Sequence, residues 1–596
     1  MRIAVLVKQV PKFEAMSLGA DGRLVREGLE LEMNPYCRRA VAKGVELAAS
    51  SGGTCTVFTL GPPPADDVLR EAIAWGADGA VLITDPAFAG SDTLATARAL
   101  AAALRSCGPF DLVLAGRNSV DADTGQVGPE VAEFLDVPFL AGVKELSIDA
   151  RSGAVQARCE YDDGFVVAAT TLPALLSCAE RLTDPAKVPP EGRAAVDASR
   201  IRRLSADELG DGPWGQAGSP TSVGRVEQLS VERSRVVLSG PVDTQVARAV
   251  ALLRDRGALD PTPSDVSVTT ARQAVPNSPK AGDGTRVIAV VVEPRRERTA
   301  RELLAAAAGL GGRVVAVTFD GVAPAALSSF GADAVVRVDG VSVEEDVAGA
   351  LGDWVDETRP WAVLAPGTMW GREVASRVAA RLGAGLTGDA VDLAVEGDRL
   401  VGWKPAFGGA LVAAVTASSD VQMVTVRPGV LPLPEPRAGD TSIDVEVRKA
   451  TSRGRVRHLD AGRDDDLDAL VAADVVVGVG TAVAPDEYDE LRPLLDALGA
   501  ELGATRKVTD RGWLPRARQI GITGRSIGPR LYVAVGLSGK FNHMVGVRGA
   551  GCVLAINTDP DALVFGACDV GIVADWRDVV PLLVDAVDYG RARISP

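Results

Sequence analysis

The stretch Leu531-Tyr-Val-Ala-Val-Gly-Leu-Ser-Gly-Lys-Phe-Asn-His543 joins an apolar run to a Gly-x-Ser-Gly turn. The β-branched and aromatic residues of the run predict a buried strand, and the glycines that follow predict a turn into a helix. Backbone amides at the start of a helix bind anions. The stretch therefore predicts a phosphate site, and it ends on His543, one of only two histidines in the chain.

Two more apolar runs follow, at residues 552–557 and 570–574. A series of such runs is typical of an open parallel sheet, in which ligands bind beyond the carboxyl ends of the strands. Four polar residues at or after the ends of these runs are expected to line one crevice: Ser538, His543, Asn557 and Asp575. For Asp575 the alternative role is an N-cap of the helix that follows it.

The composition is that of a large α/β protein. At 596 residues the chain is too long for one core and should form about three or four domains. A hydrophobic content of 47% with 4% aromatics fits layers rich in Ala, Val and Leu. The net charge of −16 argues against nucleic-acid binding, because that function needs a basic surface.

Several kinds of site are missing from the sequence. The 7 cysteines are scattered without a Cys-x-x-Cys pair, so we expect a reduced, cytoplasmic protein without a disulfide framework or a metal site. No run of about 18 apolar residues is present, so we expect no membrane span. The chain has no Walker loop and no nucleophile elbow, which favours a binding or carrier protein over an enzyme.

The chain contains an internal repeat. Three strand-like segments recur in the same order, with 2–7 matching 286–291, 76–81 matching 331–336, and 112–116 matching 362–366. Strand and helix patterns alternate within each copy, which predicts two homologous, doubly wound α/β domains related by a pseudo-twofold axis.

The predicted domain boundaries lie where this alternation of strand and helix patterns is interrupted. Residues 185–284 are rich in proline and glycine, and the part at 261–283 has the Pro/Ser/Thr content of a flexible linker. The predicted order is an α/β nucleotide-binding domain at 1–184, an extended arm and linker at 185–284, a second α/β domain at 285–436, a linker at 437–460 and a third α/β domain at 461–596.

Two loops of the first domain have the features of nucleotide-binding turns. Met33-Asn-Pro-Tyr-Cys37 precedes a long alanine-rich helix, and Asp121-Ala-Asp-Thr-Gly-Gln-Val-Gly128 lies between a strand and a helix. Small residues at such positions let backbone amides surround a phosphate. A plain turn is the alternative for both.

Together these segments resemble the electron transfer flavoprotein family. The small (beta) subunit corresponds to about 1–260 and the large (alpha) subunit to about 285–596, fused in that order. The most specific stretches lie at 121–128, 425–429, 529–543, 555–560 and 571–575. The resemblance implies that the third domain binds FAD.

The resemblance also implies roles for individual residues. Arg506 resembles an arginine stacked over the flavin, although by itself it would be interpreted as a solvent-facing strand end. Thr523 resembles a hydroxyl residue near flavin N5, and His543 resembles a residue near the flavin C2 carbonyl oxygen, where a protonated ring would hold negative charge. The implied FAD-binding positions are Thr505, Arg506, Gln519, Thr523, Gly536, Ser538, Gly539, Asn542, His543, Asn557 and Asp575.

The small-subunit half is similar to family members that hold a second nucleotide, either AMP or a second FAD. The implied pocket comprises Leu6, Asn34, Pro35, Tyr36, Cys37, Asp121, Asp123, Thr124, Gly125, Gln126 and Val127. Leu182 resembles the leucine that docks onto partner dehydrogenases. The alternative for Leu182 is a core residue.

The chain departs from the family pattern at two turns. Gly478-Val-Gly-Thr481 stands where the family usually has Gly-Gly-Arg-Gly, and Gly521-Ile-Thr-Gly524 stands where it has Gly-Gln-Thr-Gly. The first change removes a cation expected near the FAD diphosphate, so we expect an altered FAD affinity and flavin potential.

The resemblance implies an electron carrier of fatty acid β-oxidation. It would accept electrons from flavin dehydrogenases, such as acyl-CoA dehydrogenases, and pass them to a quinone-reducing flavoprotein. The alternative from the enzyme class is an electron-bifurcating, NADH-oxidising flavoprotein with a second FAD. A nucleotide-sensing protein without redox activity is the third hypothesis.

Overall fold

The chain is described here from a computed structural model. The described residues are 1–12, 30–162, 164–228, 232–260, 286–319, 324–406, 411–437, 443–463, 467–521 and 524–592. Within these ranges, no helix combines the length and the apolar character that crossing a membrane requires.

The first unit is a parallel sheet with an antiparallel extension. Its strands are β1 (Arg2–Leu6), β2 (Gln9–Pro11), β3 (Leu31–Met33), β4 (Thr54–Leu60), β5 (Gly79–Ile83), β6 (Leu112–Gly116), β7 (Phe139–Asp149), β8 (Ala154–Glu160), β9 (Gly164–Thr171), β10 (Ala174–Cys178) and β11 (Ile201–Leu204). Its helices are α1 (Pro35–Ser51), α2 (Asp66–Trp75), α3 (Thr93–Cys107), α4 (Val127–Leu135), α5 (Pro190–Ala194) and α6 (Ala206–Leu209).

An arm and the second unit follow. The arm at 185–284, whose first part supplies α5, β11 and α6 to the first unit, also contains β12 (Thr221–Gln228), β13 (Val236–Leu238) and α7 (Val242–Asp255). The strands of the second unit are β14 (Val287–Val292), β15 (Arg313–Thr318), β16 (Ala334–Asp339), β17 (Ala362–Pro366), β18 (Gly385–Ala390), β19 (Asp392–Glu396), β20 (Arg399–Ala406), β21 (Leu411–Ala417) and β22 (Gln422–Val426). Its helices are α8 (Glu297–Gly309), α9 (Pro324–Ser329), α10 (Glu344–Thr358) and α11 (Met369–Leu382).

A connecting segment and the third unit complete the described chain. The connection contains β23 (Asp444–Lys449) and β24 (Arg457–Arg463). The strands of the third unit are β25 (Val475–Val479), β26 (Glu501–Ala504), β27 (Leu531–Val535), β28 (Cys552–Asn557) and β29 (Val570–Val573). Its helices are α12 (Leu467–Ala472), α13 (Tyr488–Leu498), α14 (Arg506–Asp510), α15 (Phe541–Met544) and α16 (Trp576–Ala592).

The first two units share one topology. Six parallel strands of the first unit lie in the order β5-β4-β1-β6-β10-β7, and those of the second lie in the order β16-β15-β14-β17-β22-β18. If the six strands of each sheet are renumbered 1 to 6 in chain order, both sheets have the order 3-2-1-4-6-5. The central strands β6 and β17 are buried along almost their whole length, as expected of parallel sheets covered on both faces. The predicted α/β fold class is confirmed.

The arm at 185–284 crosses all three units. Strand β11 pairs with β5 of the first unit, β12 pairs with β21 of the second, and β13 pairs with β29 of the third. Strands of three to eight residues at sheet edges show no clear alternation of polar and apolar residues, so the sequence pattern indicated only an extended arm. The predicted flexible part, 261–283, lies outside the described residues.

The segment at 437–460, predicted as a linker, also adds strands to sheets. Strand β23 pairs in parallel with β16 of the second unit, and β24 pairs antiparallel with β9 of the first unit. On β24, His458 Nε2 lies 3.3 Å from Glu344 Oε2 of the second unit. This segment therefore joins the two repeated units before the chain enters the third.

The arm is anchored to the third unit by one buried carboxylate. Asp569 is 4% exposed and accepts a hydrogen bond from Val553 N at 2.9 Å. The oxygen that accepts from Val553, Oδ2, also lies 2.9 Å from Arg233 Nη1, and Oδ1 lies 3.4 Å from Arg256 Nη1; both arginines come from the arm. Helix α7 then packs against α16 and β29, so its apolar face completes the core of the third unit.

We expect Asp569→Ala to destabilise the third unit by about 3–5 kcal/mol, because it leaves the buried Arg233 charge without its partner. Urea unfolding followed by tryptophan fluorescence measures the change. Asp569→Asn is the matched control, since it keeps an acceptor for Val553 N and should cost less. Equal midpoints for wild type and Asp569→Ala would contradict the anchoring role.

Candidate functional site

A crevice lies at the carboxyl ends of the strands in the third unit. The sheet order is β13-β29-β28-β27-β25-β26, and all its pairs are parallel. Among the strands of the third unit β25 comes first along the chain. It pairs with β26 on one side and with β27 on the other. Strand order reverses at this point, which is where open α/β sheets bind their ligands.

Glycines bring the backbone of two loops close together in this crevice. Gly480 lies so near the loop after β27 that a Cβ there would stand 2.3 Å from the Gly536 carbonyl oxygen. Gly536 and Gly539 have φ angles of 59° and 71°, and a Cβ on Gly539 would lie 2.1 Å from Val564 N. The Ser538 side chain between them is exposed. The predicted Gly-x-Ser-Gly turn therefore forms an open backbone cradle.

Two of the predicted polar residues fix the walls of the crevice. Asn557 Nδ2 donates to the Leu537 carbonyl oxygen at 3.0 Å and so ties the end of β28 to the cradle. Asp575 Oδ1 accepts from Arg577 N at 3.0 Å and contacts Arg577 Nη1 at 3.1 Å. Asp575 therefore caps α16, which is the alternative role that the sequence offered.

Arg506 follows the carboxyl end of β26, directly after Thr505, the N-cap of α14. Its side chain is 32% exposed, and its Nε lies 3.2 Å from Asp510 Oδ2. Its guanidinium carbon stands 5.9 Å from the centre of the Tyr36 ring, which belongs to the first unit. Burial opposes the charge of Arg506, but nearby groups that include Glu180 and Asp510 raise its pKa above the ordinary value. Arg506 is therefore a permanent cation at the site.

His543 is buried, with 6% of its surface exposed. Its Nε2 lies 2.6 Å from the Tyr532 hydroxyl oxygen, and its Nδ1 lies 3.2 Å from the Ile520 carbonyl oxygen. Burial lowers the pKa of His543 to about 4, so the ring is neutral at pH 7. A protonated ring, which the resemblance implied, is not the state that this environment favours.

Three further predicted residues are Gln519, which precedes β27 in the chain, Asn542 in α15, and Thr523. Gln519 is buried, and its Oε1 accepts from Thr509 Oγ1 at 2.7 Å. The exposed Asn542 presents its carbonyl oxygen to Gly521, where a Cβ would approach to 2.3 Å. Thr523 lies outside the described residues.

Arginines join the third unit to the first. Arg516 Nη1 lies 2.9 Å from Glu180 Oε1, and Arg516 Nε lies 3.4 Å from Glu160 Oε2. In the opposite direction, Arg181 Nη2 donates to the Thr509 carbonyl oxygen at 2.6 Å. Burial raises the pKa of Glu180, but Arg516 and Arg117 outweigh it and hold that pKa far below its ordinary value. Sequence reasoning missed this contact, because residues more than 300 positions apart carry no shared local signal.

A cavity of about 1030 Å³ opens in the first unit. Seven of the predicted second-nucleotide residues line it: Leu6, Asn34, Cys37, Thr124, Gly125, Gln126 and Val127. The second unit contributes Leu386, Thr387 and Lys404, and the arm contributes Thr221. These four residues were not predicted, because only the contact between units brings them to the cavity.

The other predicted residues of this pocket lie elsewhere. Asp121 forms an ion pair with Lys8 at 2.7 Å, and Pro35 begins α1. Tyr36 and Asp123 line a polar cavity at the junction of the three units instead. Asp123 has a φ of 47° and accepts from Asn118 Nδ2, so its role is to shape the loop.

Leu182 is half-buried and packs against the hydrophobic core of the first unit. This is the alternative that the sequence left open for it. A docking role needs a side chain that a partner can reach, and the half-buried side chain of Leu182 is only partly accessible.

Comparison with known families identifies the chain. Two stretches, 21–206 and 278–452, match the electron transfer flavoprotein domain. Residues 469–548, which hold Arg506, the cradle and His543, match the electron transfer flavoprotein FAD-binding domain. The chain belongs to the electron transfer flavoprotein family.

Relatives of both subunit types of the electron transfer flavoproteins are similar to this chain. The alpha subunit of Thermoanaerobacterium thermosaccharolyticum is 35% identical over 272 residues, which cover 44% of this chain and 82% of the relative. The beta subunit of Clostridium acetobutylicum is 34% identical over 258 residues, which cover 43% of this chain and 98% of the relative. The chain is thus a fused beta and alpha flavoprotein.

A third relative is named as part of a larger assembly. Subunit CarD of the caffeyl-CoA reductase-Etf complex of Acetobacterium woodii is 35% identical over 251 residues. These residues cover 41% of this chain and 95% of the relative.

The crevice of this flavoprotein fits FAD. A diphosphate binds free backbone amides, and the glycines of the cradle let the loops around the exposed Ser538 pack closely beside the carboxyl end of β27. A flavin ring that gains negative charge on reduction is stabilised by a nearby cation, and Arg506 is a cation that follows the carboxyl end of β26. Thr505 follows β26, the exposed Ser538 follows β27, and both carry hydroxyl groups.

We expect Gly539→Ala to lose FAD on purification. The new Cβ would collide with Val564 N, and its φ of 71° costs a residue other than glycine about 1–3 kcal/mol. The ratio of flavin to protein absorbance measures retention. Gly566→Ala is the control, because a Cβ at position 566 has no heavy atom within 4 Å. Full FAD occupancy in Gly539→Ala would contradict the role of the cradle.

Proposed function

We propose that this chain is a FAD-containing electron carrier. It accepts electrons from flavin dehydrogenases, such as acyl-CoA dehydrogenases, and delivers them to a quinone-reducing flavoprotein, as a cytoplasmic protein of fatty acid β-oxidation. The observation that carries this proposal is that Arg506 and the glycine cradle follow the carboxyl ends of β26 and β27, which flank β25 in one parallel sheet.

FAD, when bound, supplies the electron-transfer chemistry. The chain's own residues then have separate tasks. Gly480, Gly536 and Gly539 allow the backbone to approach the diphosphate, and Asn557 holds the cradle in place. Arg506 favours negative charge on the flavin, and Tyr36 behind it closes the crevice from the side of the first unit.

The fused arrangement supports a carrier in another way. The arm strand β13 and helix α7 come from the small-subunit half, yet they complete the sheet and core of the FAD unit. In a single chain, the two halves are always present in equal number. The FAD unit therefore never lacks the elements that it takes from the other half.

We expect Arg506→Ala to lower the flavin reduction potential by at least about 60 mV, the one-electron equivalent of a tenfold change in equilibrium. The reason is the loss of a cation beside the charge that reduction creates. Spectroelectrochemical titration measures the potential. Arg506→Lys keeps the charge and should recover part of the shift, and an unchanged potential in Arg506→Ala would exclude the proposed role.

A second candidate function is electron bifurcation, with NADH oxidised at a second FAD. Two observations favour it. The cavity of about 1030 Å³ in the first unit is at the upper end of the range for ligand sites, which is about 300–1,000 Å³. The relative CarD is named as a subunit of a caffeyl-CoA reductase-Etf complex.

The ligands released from the purified chain distinguish these functions. A carrier should yield one FAD and one AMP per chain, and NADH should leave its flavin spectrum unchanged. Two FAD per chain with rapid bleaching by NADH would establish the second candidate instead. A colourless chain that takes up no added FAD would exclude both and favour a nucleotide sensor.

A further inference from the structure

His543 has two hydrogen-bond partners, and neither carries a charge. The Tyr532 hydroxyl oxygen lies 2.6 Å from Nε2, and the Ile520 carbonyl oxygen lies 3.2 Å from Nδ1. Tyr532 is fully buried on β27, and His543 is 6% exposed. Both polar atoms of the ring are thus occupied within the third unit.

The chemistry of these partners assigns the proton on the ring. A backbone carbonyl oxygen only accepts hydrogen bonds, so Nδ1 must carry the hydrogen that lies between it and Ile520. In a neutral ring, Nε2 then has a lone pair and accepts the hydrogen of the Tyr532 hydroxyl. A protonated ring would require that hydroxyl to turn and accept, at a site where burial disfavours the charge.

The position of the Tyr532 hydroxyl depends on Gly478 of the neighbouring strand β25. Strands β25 and β27 pair in parallel, and a Cβ at position 478 would lie 1.8 Å from the Tyr532 hydroxyl oxygen. Only glycine leaves the space through which the hydroxyl reaches His543. Gly478 is also the first residue of the turn that departs from the family pattern.

We propose that Tyr532 is a positioning residue that fixes His543 as the neutral Nδ1–H tautomer in the FAD crevice. In that state His543 is uncharged and both of its ring nitrogens bond within the third unit, so Arg506 provides the positive charge. The consequence for the flavin rests on the proposed function. The tautomer itself is a property of the protein and is measurable with or without FAD.

The scarcity of histidine makes the test direct, because the full chain contains only His458 and His543. Long-range hydrogen–nitrogen spectra of the chain labelled with [15N]histidine report the protonation of each ring nitrogen, and His458→Gln assigns the signals. We expect His543 to show a protonated Nδ1 and an unprotonated Nε2 between about pH 5 and pH 8. An imidazolium, or a hydrogen on Nε2, would overturn the proposal.

His458 is the internal control for the titration. Burial lowers its pKa, but the hydrogen bond and charge of Glu344 outweigh burial and place that pKa above its ordinary value. His458 should therefore be protonated at low pH and lose its proton as pH rises through that raised value. His543 should keep one state over the same range.

Two substitutions test the part played by Tyr532. Tyr532→Phe removes the donor to Nε2, so the Nε2 signal should shift while Nδ1 stays protonated. Gly478→Ala displaces the same hydroxyl without deleting it and should shift the signal in the same direction. Tyr488→Phe is the matched control from the same unit, because among the described residues its hydroxyl has no hydrogen-bond partner. An Nε2 signal that both variants leave unmoved would overturn the proposal.

The experiment separates this inference from the proposed function. The spectra are recorded on the chain as purified and after removal of FAD, and the same tautomer is expected in both. A chain that shows the tautomer but takes up no FAD would contradict the proposed function alone. A chain that holds FAD and has an imidazolium at position 543 would contradict only the role of Tyr532.

Discussion

Buried ion pairs between the units are the interactions on which this structure depends. Asp569 holds the arm to the third unit through Arg233, and Glu180 holds the third unit to the first through Arg516. A charge that has left water is costly unless a partner stays beside it. Each ion pair therefore tolerates little displacement, and the pairs hold the other parts of the chain in place against the third unit, which contains the crevice.

The FAD crevice combines two physical features, closely packed backbone and a fixed positive charge. The cradle uses backbone, because only glycine permits the approach of Gly480 to Gly536 and the positive φ of Gly539. The fixed charge is that of Arg506, which stays protonated at every pH that a cell offers. His543 belongs to neither group, since its two ring nitrogens bond to neutral partners, the Tyr532 hydroxyl and the Ile520 carbonyl.

The sequence predicted much of the site because parallel sheets collect their loops at one edge. A polar residue after an apolar run must then lie at that edge, which is how Ser538, Asn557 and Asp575 could be predicted together. For Asp575 and Leu182 the sequence left two roles open, and in the structure Asp575 caps α16 and Leu182 packs against a core. Both outcomes depend on which neighbour is nearer in space, and no local pattern contains that information.

By itself the sequence determined the repeated α/β units and the crevice of the third unit. The spacing of hydrophobic residues and the positions of glycines set strands, helices and turns within a few residues, so the sequence alone indicates them. Only the tertiary structure decided the rest. The arm became a strand in each unit, the cavity of the first unit gained Leu386 and Lys404, and Tyr532 met His543. These contacts join segments whose distance along the chain is unrelated to their distance in space. Packing and the pairing of buried polar groups set them.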